Sequence, residues 1–333
     1  MKRLSLIVLL AVFVLMGCNR NPLKVDVSDI EMDITVWRFD QDLFAVKNKE
    51  SQELDQLSRK YGAYFDLYNY KVIQLGDPKD PRYPEYLQKF LNDPVMNEVY
   101  EKCQEVFPGF QTQKHALDNA FKHYKYYFPN RKIPQIFTHI SGFNQSMVVA
   151  EDVLAISIDK YLGADCEFYE RLGNPLYARY KMTPQRIPVD AIIALGLSEF
   201  SYDNPKDNVL GNLIYQGKVR YFTQAMMPDI SEREIMGYKP EQIEWCLNNE
   251  DNIWGYLIEQ KHLFSSEYRL IMRYINDGPF TQGLPQESPS RVGIWTGLQI
   301  VKSYMKQHPD VSLPQLMKET DYEKILRESG YQP

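Results

Sequence analysis

The sequence contains few of the residues from which most catalytic and metal sites are built. Its 333 residues include five histidines and four cysteines. No two histidines have the His-Glu-x-x-His spacing that puts two imidazoles and a glutamate around one metal, and no Cys/His spacing is typical of zinc. The Gly-x-Ser-x-Gly elbow, the Walker loop and the dinucleotide fingerprint are also missing. These absences predict a protein that is not an enzyme.

Excess positive charge and long apolar runs are also lacking. The chain has 38 basic and 44 acidic side chains, a net charge of −6. This balance argues against nucleic acid as a partner, because binding to phosphate backbones requires a basic surface. After Met16, no window reaches the ~18 uncharged apolar residues of a membrane span. We therefore expect a globular body.

What the sequence does have is an export signal. Lys2 and Arg3 precede an apolar run that ends in Leu15-Met16-Gly17-Cys18, which is typical of a lipoprotein signal. Residues 1–17 are then a signal peptide and Cys18 is the lipidation site, with this covalent lipid as the only cofactor. The alternative is a retained signal anchor in which Cys18 is incidental, although the run is short for a span of ~20 residues.

Lipidation at Cys18 makes the membrane the first partner of the mature chain. Removal of residues 1–17 takes away Lys2 and Arg3, so 36 basic and 44 acidic side chains remain and the net charge is −8. Such a chain has no polybasic attraction to anionic lipid, so the lipid must supply the membrane affinity. We expect an envelope lipoprotein that faces the periplasm.

The remaining chain is organised as a tether and one domain. Residues 18–29 are polar and without periodicity, which is typical of a short tether. Residues 30–333 show no repeat or linker and predict a single globular domain. Cys103, Cys166 and Cys246 are odd in number, and we expect three buried, unpaired thiols.

The predicted fold class is α+β, mainly helical, with a small sheet of three to four strands in mid-chain. Residues 133–140 favour a strand, and residues 146–150 and 153–158 favour a hairpin that turns at Glu151-Asp152. Alternating residues 30–36 predict an extended first strand. A helix then runs from Arg38 to about Gly62, with Asp40 as its N-cap.

A long helix over residues 207–224 carries the remaining candidate site. Asn212 and Gln216 are spaced i, i+4 and share a face, where a zincin peptidase has its two zinc-binding histidines. Glu259 then corresponds to a third ligand. Because amides bind zinc poorly, the pattern predicts a degenerate zincin-like scaffold with a vestigial cleft. The alternative is that both amides are ordinary polar residues on a half-buried helix.

Several segments together resemble one family, the gliding-motility lipoprotein GldB of Bacteroidetes. The first is the lipoprotein signal that ends at Cys18. The others are Arg38-Phe39-Asp40-x-x-Leu43-Phe44, Asp159-Lys-Tyr-Leu-Gly163, Ile214-Tyr-Gln-Gly-Lys218, Pro289-x-Arg291-x-Gly293-x-Trp295-x-Gly297-x-x-Ile300-Val301-x-x-Tyr304-Met305 and the closing Ser329-Gly-Tyr-Gln-Pro333. The resemblance implies an envelope lipoprotein of the gliding and type IX secretion machinery, with no catalytic activity. It transfers one functional residue, Cys18.

Two functions follow as hypotheses. The first is a lipid-anchored, non-catalytic protein that supports motility or secretion by binding other envelope proteins. The alternative is a zincin-like metallohydrolase or peptidase with atypical ligands, which depends on Asn212, Gln216 and Glu259.

Overall fold

The computed structural model describes residues 21–333, so the predicted signal peptide and Cys18 lie outside the described residues. The described chain is mainly helical, with a small four-stranded mixed sheet in one compact domain. This architecture confirms the α+β fold class. No helix of the described part combines the length and the apolar character needed to cross a bilayer.

The first half of the chain consists of several helices and the sheet. The strands of the sheet are β1 (Val36–Trp37), β2 (Gln135–His139), β3 (Met147–Ala150) and β4 (Val153–Ser157). The helices of this half are α1 (Phe39–Ala45), α2 (Ser51–Tyr61), α3 (Ala63–Leu67) with a π-helical turn at Tyr68–Val72, α4 (Tyr83–Asn92), α5 (Pro94–Val106) and α6 (Gln111–Tyr127).

The second half is helical. Its elements are α7 (Glu167–Arg171), α8 (Leu176–Arg179), α9 (Ile187–Glu199), α10 (Val209–Met226), α11 (Glu232–Met236), α12 (Pro240–Asn248), α13 (Glu250–Glu259), α14 (Tyr268–Ile275), α15 (Val292–Gln307), α16 (Leu313–Lys318) and α17 (Tyr322–Ser329). Short 3₁₀ turns follow β4 at Ile158–Lys160 and precede α9 at Pro184–Arg186.

The sheet has the strand order β1-β2-β4-β3, with β2 parallel to β1 and β4, and β3 antiparallel to β4. The predicted hairpin is confirmed, and Asp152 takes the positive φ of 54° that its tight turn requires. The predicted first strand was too long, because β1 pairs only with Ile136 and Phe137. Upstream, the Ile34 amide donates 2.7 Å to the Asp118 carboxylate instead of to a neighbouring strand.

The helix predicted from Arg38 is divided in two, and its N-cap was assigned wrongly. α1 ends at Ala45 and α2 begins at Ser51. Arg38 occupies the N-cap position, whereas Asp40 lies inside α1, fully buried. Its carboxylate accepts hydrogen bonds from the side chains of Arg38, Gln104 and Thr138, so it is not available to cap the helix.

Helices α10 and α15 cross at backbone contact and form the centre of the second half. A Cβ atom added at Gly297 would lie 1.8 Å from the Leu213 carbonyl oxygen, and one at Gly217 would lie 2.2 Å from the Gly297 carbonyl carbon. Only glycine allows two helix backbones to approach this closely. The crossing fixes the start of α15 relative to the middle of α10.

Two further sequence predictions concern single residues. Cys103, Cys166 and Cys246 are buried and form no disulfide within residues 21–333, as expected. In the predicted tether, Leu23 is 7% exposed and packs into the core, and Asn21 donates a 3.1 Å hydrogen bond to the Pro228 carbonyl. The described part of that segment therefore lies against the domain.

Candidate functional site: a basic pocket

Two adjoining cavities of about 260 and 340 Å³ share Tyr180, Lys181, Gly237 and Tyr238 in their walls. We call them together the basic pocket. The basic side chains that line it are Lys181, Arg186, Arg233, Lys239 and Arg291, and the acidic ones are Glu234 and Asp277. In a chain of net negative charge, this is a local excess of positive charge.

The short helix α11 organises two of the guanidinium groups. Arg186 donates to the carbonyl oxygens of Glu234 and Ile235, the second at 3.2 Å. Arg291 donates at 2.7 Å to the carbonyl of Met236. These carbonyls belong to the last turn of α11, where unpaired acceptors and the helix dipole favour cations. Both side chains are therefore held with their charge at one wall of the pocket.

The carboxylates of Asp190 and Asp277 neutralise part of the positive charge at this wall. Arg186 donates from Nε to Asp190 Oδ1 at 2.7 Å. Asp277 is paired with Lys181, and its Oδ1 lies 3.6 Å from Arg291 Nε. Burial favours a higher pKa for Asp277, but Arg291 and Lys181 outweigh it and lower that pKa. Asp277 is therefore ionised at neutral pH and neutralises one of its two cations.

The pKa of Lys181 responds to burial and to the positive charge of its neighbours. Burial, together with the positive charge of Arg291, lowers its pKa to about 8, although Asp277 acts in the opposite direction. Burial is the largest cause, so the lowered pKa indicates that Lys181 is desolvated and has Arg291 and Arg186 as cationic neighbours.

Arg220 lies near Arg186 and Arg291 and has one hydrogen-bond partner among the described side chains. It is 5% exposed, and its Nη1 donates a 3.3 Å hydrogen bond to Gln216 Oε1. Its Nε has no partner among the described residues, and no ion pair involves Arg220 there. Burial and the charges of Arg291 and Arg186 lower its pKa to about 9, so it remains charged. Buried charges are normally paired. Arg220 is not among the residues that line the two cavities, and the charge of Asp190 favours its protonated form.

Three of the segments that resemble the family meet at this place. Tyr161 donates a 3.1 Å hydrogen bond to Asp190, which also binds Arg186. Gln216 holds Arg220, and Arg291 comes from the segment that begins at Pro289. Chemically, the arrangement suits recognition of a carboxylate or another anion, because guanidinium groups offer paired donors to planar oxyanions.

The sequence-predicted site residues have separate environments. Asn212 donates to Tyr202 Oη at 3.1 Å, to Asp207 Oδ1 at 3.0 Å and to the Asn208 carbonyl at 2.9 Å. Gln216 follows one turn later and contacts Arg220. Glu259 is exposed at the end of α13, and no hydrogen bond or ion pair of the described residues links it to either amide. Residues 21–333 contain no group of three or more His, Cys, Asp or Glu side chains that could hold a metal.

No sequence pattern marked Lys181, Arg186 or Arg220 as a site residue, and Arg291 appeared only within the segment that resembles the family. One signal was present: Arg220 is a charged residue in a helix that is otherwise almost entirely buried and stands one turn after Gln216. Lys181 and Arg186 lie five positions apart, whereas Arg291 comes from a distant segment of the chain. No spacing rule brings them together.

A second polar group, which we call the strand-end cluster, follows the carboxyl ends of the parallel strands. It consists of Asp40, Thr138, His139, Ser157 and Asp159, all fully buried. His139 contacts Tyr64 Oη at 2.7 Å through Nδ1 and Ser157 Oγ at 2.6 Å through Nε2. Burial lowers the pKa of His139 to about 3, against the effect of Asp40. This histidine–serine pair is neutral and closed to solvent.

The fold and the pocket together define a mainly helical α+β domain with a charged, solvent-accessible recess. The chain belongs to the family of the gliding motility protein GldB, whose family model matches residues 20–333. The comparison with curated proteins gives no match, and neither does the comparison with solved structures. Family membership confirms the resemblance and makes the chain a gliding-motility-related lipoprotein associated with the cell envelope.

Proposed function

We propose that this protein acts without catalysis, as a lipid-anchored component that binds an acidic segment of another envelope protein of the motility or type IX secretion machinery. The basic pocket is the binding site. A lipid on Cys18 holds the domain on the periplasmic side of its membrane. The observation that carries the proposal is the excess of cations over carboxylates in the pocket, with the buried Arg220 beside it.

The walls of the pocket also indicate the chemistry of the bound segment. Leu176 and Tyr180 line its rim and are 75% and 37% exposed. Lys239 lies over the Tyr180 ring, 5.6 Å from its centroid. An acidic side chain next to an apolar one matches this combination, because the carboxylate meets the guanidinium groups while the apolar residue covers the rim.

Charge complementarity favours such a segment in a second way. The chain as a whole is acidic, so an acidic partner is repelled by most of the surface and attracted at the pocket. Complementarity of this kind fixes orientation and excludes wrong partners more than it increases affinity. The proposed contact therefore depends on salt.

The proposal is tested by crosslinked capture of the tagged protein from cells. Four forms are compared: wild type, Cys18→Ala, the pocket variant Lys239→Gln/Arg291→Gln, and the control variant Lys60→Gln/Lys132→Gln. The control removes the same charge from exposed positions outside the pocket. We expect wild type and control to recover the same envelope protein, and the pocket variant to lose it.

Recovery that is equal in the pocket and control variants would contradict the proposed binding site. Recovery that is unchanged by Cys18→Ala, together with a mature protein that mass spectrometry finds free of acyl chains, would contradict the lipid anchor. Correct folding of each variant is checked by its circular dichroism spectrum and unfolding midpoint.

The metallohydrolase alternative has its own test, metal analysis with chelation. We expect purified protein to contain no stoichiometric zinc and to unfold at the same temperature with and without chelator. Stoichiometric zinc that is lost in Asn212→Ala or Gln216→Ala would instead support the metallohydrolase alternative, because metal bound to a folded site adds to the free energy of unfolding.

A further inference from the structure

An open groove of about 920 Å³ lies where the described chain begins. We call it the amino-terminal groove, and it is lined by Leu23, Tyr126, Tyr127, Met305, Lys306 and Leu313, among others. These residues come from the amino-terminal segment, the end of α6, the end of α15 and the start of α16. The floor is apolar and the edges carry tyrosine and lysine.

The start of the described chain is fixed to the domain beside this groove. Asn21 donates at 3.1 Å to the Pro228 carbonyl and accepts from the Leu23 amide at 3.0 Å. Leu23 is 7% exposed, and Lys24 is paired with Asp229. The position from which residues 18–20 depart is therefore set by contacts with the domain.

Only three residue steps separate Cys18 from Asn21. A fully extended chain covers at most ~3.5 Å per residue, so the two α-carbons are at most about 10 Å apart. This step rests on the proposed function, because it assumes the lipid on Cys18. With that lipid inserted in a bilayer, the amino-terminal groove must lie close to the membrane surface.

The side chains at the groove suit such a surface. Tyr126 is 49% exposed and makes an edge contact with Tyr127, with ring centroids 5.0 Å apart. Lys306 is exposed and forms no ion pair in the described part of the chain. Tyrosine and lysine are the residues that anchor proteins at the headgroup level, because each has an apolar body and a polar end.

We infer that the amino-terminal groove is the face that the domain places against the phospholipid surface holding its anchor. Tyr126 and Tyr127 lie at headgroup level, and Lys306 binds lipid phosphates. The short helix α11 then stands between membrane and pocket, because Glu232 pairs with Lys302 at the groove while the other end of the helix binds Arg186 and Arg291. The basic pocket is thereby held near the membrane.

The test measures which residues touch lipid in the acylated, full mature protein. It is purified from envelopes, checked for acyl chains by mass spectrometry, and reconstituted into vesicles of phosphatidylcholine with some phosphatidylglycerol. A fluorescent thiol label is placed at Tyr126→Cys or Lys306→Cys, and quenching by brominated lipid is measured. The matched controls are Leu247→Cys and Tyr268→Cys, which are exposed outside both the groove and the basic pocket. The native Cys103, Cys166 and Cys246 are buried.

We expect the two groove labels to be quenched several-fold more than every control label. We also expect Lys306→Glu to reduce quenching of a label at position 126 while the protein stays on the vesicles. Acylated protein in which all positions are quenched equally would overturn this inference and leave the proposed function intact. A mature protein without acyl chains would overturn the anchor, and this inference with it.

Discussion

The strand-end cluster and the basic pocket differ in how their charged groups are satisfied. In the cluster, Asp40 accepts from Arg38 at 2.8 and 3.0 Å and from Gln104 at 2.9 Å, and both ring nitrogens of His139 are occupied. In the pocket, Arg220 has one long hydrogen bond and no partner at Nε within residues 21–333. The charged groups of the cluster all have hydrogen-bond partners, whereas Arg220 Nε has none among the described residues.

This difference matters because position alone favours the strand-end cluster as the candidate site. Ligands in open α/β sheets usually bind beyond the carboxyl ends of the parallel strands, where the strand-end cluster lies. Asp159 there accepts from the Phe143 amide at 2.7 Å and from the Ser141 amide at 3.1 Å. A buried network whose members are all paired stabilises a fold. Unpaired charge at an open recess is the better sign of binding.

The largest effect is expected for Asp40→Ala. It leaves Arg38, Gln104 and Thr138 without their shared acceptor, and breaking a buried pair of this kind costs about 3–5 kcal/mol of unfolding free energy. Denaturant unfolding measures the loss. The control is Glu85→Ala, which removes an exposed helical pair with Lys89 and should leave the free energy of unfolding nearly unchanged, because solvent screens such a pair. Equal losses in both variants would refute the stabilising role of the cluster.

The next effect is the pH dependence of stability, tested with His139→Gln. The pKa of the His139 imidazole is about 3 in the fold, below the ordinary 6.5. Between these pH values the unfolded chain therefore binds a proton that the native state does not. The stability contribution of His139 therefore rises with pH. From pH 4.5 to 7, wild type should gain about 2–3 kcal/mol relative to the variant.

Unfolding at both pH values checks this prediction. Ser157→Ala is the control, since it disturbs the same hydrogen bond without removing the titrating ring. A difference between wild type and His139→Gln that stays constant with pH would show that the ring keeps its ordinary pKa in the fold.

Arg220→Met should act in the opposite direction to the cluster variants. Replacing an unpaired buried charge with an apolar side chain of similar size is neutral or stabilising, here by about 1 kcal/mol. Arg186→Met is the matched comparison, because Arg186 binds Asp190 and two carbonyls and its loss should destabilise. Thermal unfolding of both variants decides whether Arg220 is free of structural partners.

The smallest change in stability is expected for Asp277→Asn, within about 1 kcal/mol because the carboxylate is partly exposed. It removes the counter-charge of Lys181 and Arg291, so anion binding at the pocket should strengthen. Calorimetric titration with inorganic phosphate at low salt measures this, with Arg291→Gln as the opposing variant. Weaker binding in Asp277→Asn would contradict an anion site.

The sequence predicted those parts of the fold that depend on local patterns. The hairpin at Glu151-Asp152 followed from two β-branched runs around a turn, and the long helix at residues 207–224 followed from its spacing. The first strand was overextended, because pairing with β2 and not alternation decides where β1 ends. Asp40 looked like a cap, because its burial against Thr138 of β2 is invisible to local rules.

The candidate site was less accessible to prediction. Gln216 was singled out for zinc, yet its contact is Arg220. Lys181 and Asp277 form an ion pair across 96 positions of sequence, and only the crossing of α10 with α15 brings Arg291 near Arg220. Tertiary packing creates this pocket. In the sequence, each of its charged residues is indistinguishable from an ordinary surface charge.

The contacts of Asn21, Leu23 and Lys24 with the domain fix the place where the described chain begins. If Cys18 carries the proposed lipid, the domain can diffuse along its membrane but cannot extend far from that membrane on a long linker. The domain then meets other proteins only close to the bilayer. A partner must either reside in the same membrane or extend to its surface. Lengthening the segment before Asn21 would release the domain from that surface without altering any side chain of the pocket.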